Sequence, residues 1–247
     1  MRTANPVLNK KTFGHFSSFD NVNVMTIDGT VNKTFILLLL VMLPASFIWN
    51  SIFSGQIPGY YSAILFGGLI LGFIFALITI FKKEWSPVTA PLYAICEGFL
   101  LGGISAFMEI VYPGIVIQAI SLTFGTLFIL LALYKSGTIK VTENFKLGVI
   151  AATGAIGLIY LVGFIMSFFG TSIPMIHQSG TVGIIFSLVV VAVAAMNLVL
   201  DFDFIEKGAE HKAPKYMEWY GAFGLMVTLI WLYMEILRLL SKLRSRR

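Results

Sequence analysis

Cysteine, histidine and charge are all scarce in this chain. Its one cysteine, Cys96, excludes an intrachain disulfide, and its three histidines form no Cys/His cluster at metal-ligand spacing. No zinc-binding HExxH occurs, and no Ser–His or Cys–His pairing falls inside an apolar run. The GxGxxG-like stretches lie in apolar segments, so an enzyme is not expected. Charged residues make up 12% of the 247 residues and hydrophobic ones 57%, more apolar surface than a soluble domain hides. The formal charge is +5, but the basic residues flank apolar runs instead of forming a patch. Nucleic acid is therefore rejected as a partner, and the lipid bilayer takes its place.

Seven runs are long enough to cross a membrane: roughly 34–53, 60–81, 90–108, 114–134, 147–169, 180–202 and 219–240. A crossing needs about 20 predominantly apolar residues, and in lipid each must be a helix, because only a helix satisfies its own backbone. The links are short, so neighbouring helices should be antiparallel. The expected fold is an all-α seven-transmembrane-helix bundle over 34–240. A polar cytoplasmic tail at 1–33 precedes it and a basic tail at 241–247 follows. No cleavable signal is visible ahead of the run beginning at Thr34, which should stay as a span.

Lys and Arg sort by side. The N-terminal tail and the links after helices two, four and six carry twelve, and the other three links carry none. This bias puts the N-terminus in the cytoplasm. The C-terminus disagrees: "RLLSKLRSRR" holds five basic residues, yet seven crossings leave it outside. The alternative is a re-entrant last segment; seven full spans are the favoured reading, since late segments follow the bundle. Gly68/Gly72 and Gly98/Gly102 have the small-xxx-small spacing of a close helix seam, a weak signal taken alone. Pro44 is placed to kink helix one, and Pro87 and Pro91 suit the entry of helix three.

The acids at membrane depth are Glu97, Asp201, Asp203 and Glu235, with no Lys or Arg in the middle of any span. A charge there costs about 2.5–3.5 kcal/mol on insertion scales, so protonation, water or a bound cation must answer it. Glu97, in "APLYAICEGFLLGG", lies deepest and reads as a proton or cation site or as a packing carboxyl. Asp201 follows Asn197 by four residues and shares its helix face, whereas Asp203 points about 200° from Asp201. At the end of helix six an anion opposes the helix dipole, so Asp201 needs compensation. Glu235 and Arg238 read as an i,i+3 pair near the surface. Tyr216, Trp219, Trp231 and Tyr233 read as interfacial anchors, and His15, His177 and His211 as loop residues.

Several stretches are familiar: the "EG" at Glu97–Gly98, an acid closing helix six before "FIEKG", and "APKYMEWYGAFGLMVTLIWLYMEILRLL". With "NPVLNKKTFGHF" and "MTIDGTVNKTFILLLL", the chain resembles a bacterial branch of the transmembrane Bax-inhibitor-motif family along nearly its whole length. The resemblance implies that the last helix is central and enclosed by the other six. It also implies a pH-sensitive calcium leak channel, here in the bacterial inner membrane. In that family two aspartates, one ending helix six and one in helix seven, share a proton. Asp201 matches the first, with Ile205 four residues on and Asp203 as a substitute. The second falls at about Thr228, which cannot share a proton as a carboxylate does. Partner candidates are then Asp203 or Glu97, with Asn197 beside the ion path. Two other functions stay open. One is an interaction protein modulating a membrane-bound protease, docking through Phe13, Phe16 and Phe19 of the tail or leaving that tail disordered. The other is a proton-coupled transporter with Glu97 as carrier.

Overall fold

The computed structural model describes residues 24–55, 59, 61–170 and 180–246. Among these, seven helices are long and apolar enough to cross a membrane. They are α1 Ile27–Phe53, α2 Tyr61–Phe81, α3 Ser86–Val111, α4 Ile115–Lys135, α5 Glu143–Phe168, α6 Thr181–Glu210 and α7 Met217–Ser245. A 3₁₀ turn at Lys83–Trp85 links α2 to α3, with Pro87 in the first turn of α3 and Pro91 inside it.

Two helices extend well past their apolar runs, for local reasons. α1 begins at Ile27, not Thr34, because Thr26 caps it: its hydroxyl accepts from Gly29 N–H at 3.0 Å. Residues 27–33 are therefore helical and not part of a tail. α6 continues beyond Phe202 to Glu210, where Lys207 donates to Asp203 one turn back at 2.8 Å, and stops at His211, whose Nδ1 sits 2.7 Å from Lys207 O. Asp201 thus lies more than two turns inside α6, and the helix dipole bears on it less than its place in the apolar run suggested.

α7 forms the centre of the packing. One side, through Leu229, Leu232 and Ile236, meets Ile115 and Ala119 of α4 and Leu198, Phe202 and Ile205 of α6. Its other side, through Ala222, Phe223 and Met226, meets Leu37 and Val41 of α1 and Ala90, Tyr93 and Leu101 of α3. The remaining two helices are outer ones. α2 packs on α3, and α5 packs on α6 through Ile156 against Val190 and Val193. Among the described residues direct enclosure of α7 comes from four helices, α1, α3, α4 and α6, while Tyr160 of α5 bonds Glu235 of α7 and Trp231 of α7 packs against the α5–α6 cluster.

Glycines set the α1–α3–α2 sandwich. A Cβ on Gly98 would strike the Val41 carbonyl, and one on Gly102 would come within 2.7 Å of Ala45 Cα. On the opposite face of α3, a Cβ on Gly68 would lie 3.1 Å from Cys96 O and one on Gly72 3.3 Å from Cys96 Cβ. Both small-residue pairs are true seams, where backbones approach closely and gain dispersion contact.

The start of α1 and the end of α7 lie at opposite ends of the bundle. Met25 N–H donates to Ala213 O at 2.7 Å, tying the start of α1 to the entry of α7. At the far end Arg244 donates to Pro113 O, 2.6 Å away, and to Gln118 Oε1, 3.1 Å away, beside the α3–α4 link. α7 is a continuous full-length helix and not a re-entrant one. Its basic residues are accommodated by acceptors: Lys242, 5% exposed, donates to Gly183 O at 3.0 Å and Ser187 Oγ at 2.8 Å. The last turn of a helix also favours cations.

Candidate functional site

The site sits where α6 and α7 face one another. The Asp201 carboxylate lies over Gly224 of α7, where even a Cβ would stand 3.9 Å from Oδ1. One turn further along α7, the Thr228 hydroxyl faces this carboxylate. The other oxygen, Oδ2, is shut off from solvent and has no hydrogen-bond partner among the described residues. Such an orphan is costly, on the order of 1–3 kcal/mol for a neutral group and more for a charged one. Phe202 and Ile205 of α6 and Leu225 of α7 are buried together in the apolar cluster that joins these helices.

The other acids named from the sequence do not join Asp201. Asp203 points away, as its spacing requires, and pairs with Lys207 at 2.8 Å and with Lys146 of α5 at 3.3 Å. Two lysines already answer its charge, so Asp203 is no substitute for a second aspartate. Asn197 turns its amide to α5, donating to Thr153 Oγ1 at 2.8 Å and to Val193 O at 2.9 Å. It braces α6 against α5 and does not assemble a ligand set with Asp201. Glu97 lies on the α2 side of α3, one turn from Tyr93, and Gly72 leaves it space. Tyr93 in turn stacks edge-on against Phe223 of α7, with centroids 5.2 Å apart. Among the described residues no group of three His, Cys, Asp or Glu is gathered as a metal site.

One further cluster has no counterpart in the sequence reading, and a second is larger than its spacing implied. At the start of α7, Glu218 is fully buried and accepts from Thr26 N at 2.9 Å, Thr26 Oγ1 at 2.8 Å and Lys215 Nζ at 2.8 Å. Lys33 also pairs with it and lies over the Trp219 ring. Gly29 faces the carboxylate with no room for a Cβ, which was the available signal. Toward the other end of α7, the expected Glu235–Arg238 pair forms at 3.1 Å, but Glu235 is only 2% exposed. Tyr160 of α5 completes it, donating to Glu235 at 2.9 Å and accepting from Arg238 at 2.6 Å. Tyr233, expected as an interfacial anchor, instead turns inward to Ser105 Oγ at 2.7 Å. His15, His177 and the Phe13/Phe16/Phe19 docking element lie outside the described residues.

The sequence profile of the Bax inhibitor 1 like family matches residues 5–245. The chain belongs to that family. Searches among curated proteins and solved structures return no match. Within this Bax inhibitor 1 like bundle, the residue expected at the helix-seven position, Thr228, does meet Asp201, but as a hydroxyl facing a carboxyl.

Proposed function

We propose that this Bax inhibitor 1 like protein is a proton-gated cation leak pathway, with calcium as cargo and Asp201 as the proton sensor. One observation carries the reading: a carboxylate oxygen buried between α6 and α7 without a partner. The neutral acid suits this dry packing, since a buried unpaired charge is disfavoured. Loss of the proton leaves a charge served by one hydroxyl, and that charge is relieved by water or a cation entering between α6 and α7. Hard cations prefer oxygen ligands, which a carboxylate, a threonine hydroxyl and helix carbonyls supply.

Thr228 suits a one-carboxylate sensor because a hydroxyl can donate to the carboxylate and accept from the acid. It changes role without changing charge, so the site titrates as a single group and not as a coupled pair. The lysine bias supports a cytoplasmic N-terminus, and family and composition support the bacterial cell membrane as the location. The test is calcium entry into liposomes carrying the purified protein at several pH values. The expected result is low flux in acid and rising flux as pH increases; no flux at any pH contradicts the reading.

A further inference from the structure

α1 and α4 share no packed seam, and the space between them opens into a cavity of about 510 Å³. Its back wall is α3, at Leu101, Gly102 and Ser105, and its floor is α7, at Leu229, Ile230 and Tyr233. The mouth is formed by Met42 of α1 and Ile117 of α4, which are 57% and 65% exposed on the membrane-facing surface. The volume lies in the range of sites that hold small molecules, roughly 300–1,000 Å³.

We propose that a phospholipid acyl chain enters between α1 and α4 and lies in this cavity against α7. Three observations select that occupant. The mouth faces hydrocarbon, because Met42 and Ile117 stand within membrane-crossing stretches. The walls are overwhelmingly apolar, and their buried hydroxyls are already engaged: Ser105 with Tyr233 at 2.7 Å, and Thr123 with Ala119 O at 2.8 Å. The Glu109 carboxylate at the rim is likewise taken, by Gly114 N–H and by Val116 N–H at 3.1 Å. Water needs two to four polar partners to stay, whereas a dry apolar cavity takes an apolar guest. The close approach of Gly102 to Ala45 fixes α1 against α3 along the back, so α1 cannot fold inward to close the gap. The guest would touch Leu229 and Ile230, the residues immediately after Thr228, and so brace the α7 turn that faces Asp201.

The discriminating residue is Leu229, which lines the cavity yet is only 3% exposed. Bulk lipid does not reach it. The protein is reconstituted in liposomes containing a phosphatidylcholine with a photoreactive diazirine in one acyl chain, irradiated and mapped by peptide mass spectrometry. Labelling of the 229–233 segment is expected, with a several-fold loss in Ser46→Phe, which fills the cavity from α1, and unchanged labelling at Leu158 on the outer face of α5. Native mass spectrometry of the wild-type chain, which needs no variant to fold, should retain one phospholipid per chain. Labelling confined to outward residues such as Leu158 and Phe164 overturns the proposal, as does 229–233 labelling that Ser46→Phe leaves unchanged.

Discussion

Thr228 of α7 faces the Asp201 carboxylate of α6, whose Oδ2 is buried without a hydrogen-bond partner among the described residues. Two consequences follow from Thr228 being a hydroxyl. It offers the ionised form one bond only, and it carries no charge of its own. Removing it with Thr228→Val takes away the O–H that this position offers the carboxylate, so the charged state becomes harder to reach. The midpoint of the pH–flux profile should therefore move to higher pH, by roughly one unit for a bond of about 1.4 kcal/mol. A midpoint that stays in place would show that Thr228 does not face the working carboxylate.

Thr228→Asp puts a second carboxyl opposite the first. Like charges this close cannot both ionise easily, so the profile should split into two steps that belong to the pair. A single unchanged step would mean that the two positions do not meet in the membrane.

The α1–α3 seam should be intolerant of any side chain. Gly98→Ala drives a methyl into the Val41 carbonyl, and Gly102→Ala brings one to 2.7 Å from Ala45 Cα. Both should destabilise by about 1–3 kcal/mol, as overpacking does. Gly125→Ala on α4, with nothing within 4 Å of the new methyl, is the control and should change stability by less than about 0.5 kcal/mol. Thermal unfolding in detergent separates them, and equal behaviour of all three would contradict the packing.

Glu218 holds the start of α1, α7 and two lysines in one cluster. Glu218→Gln keeps the shape but removes the charge facing Lys33 and Lys215. Those lysines retain some water, with side chains 17% and 44% exposed, so a loss on the order of 2 kcal/mol is expected, less than for a sealed pair. Proteolysis should then cut earlier near residues 24–26, while the far end of the bundle stays protected. Unchanged cleavage there would show that the cluster does not tether α1.

α7 runs the full depth of the bundle, so the α6–α7 link and the C-terminus should lie on opposite membrane faces. Cys96 is buried and leaves a quiet background for labelling. Lys212→Cys and Arg246→Cys should react with an impermeant maleimide from opposite sides. Labelling of both from one side would restore a re-entrant seventh segment.

Much of this architecture was legible because the bilayer imposes a single rule, about 20 apolar residues per crossing, and the seven runs obey it. The helix ends were less legible. The polar stretch 27–33 is helical through the Thr26 cap and the Glu218 contact, and the second of these joins residues 192 apart in sequence. Charge pairing was hidden for the same reason. Asp203 meets Lys146 across two helices, and spacing along one helix cannot show that contact. Glu218 falls one residue before the apolar run at 219–240, where an acid draws no notice; only Gly29, the partner that yields space, marks it. Asp201 is visible as a misplaced acid, and its facing residue is indicated by the family resemblance and not by chemistry, since a threonine in an apolar helix draws no attention.

The most direct test of the central claim is the pH profile of calcium flux in liposomes for the wild-type chain beside Asp201→Asn. Asparagine keeps the shape and stays neutral at every pH. The account predicts flux that rises with pH in the wild type and a low, pH-independent flux in Asp201→Asn. A variant whose flux still rises with pH, along the wild-type curve, would contradict it.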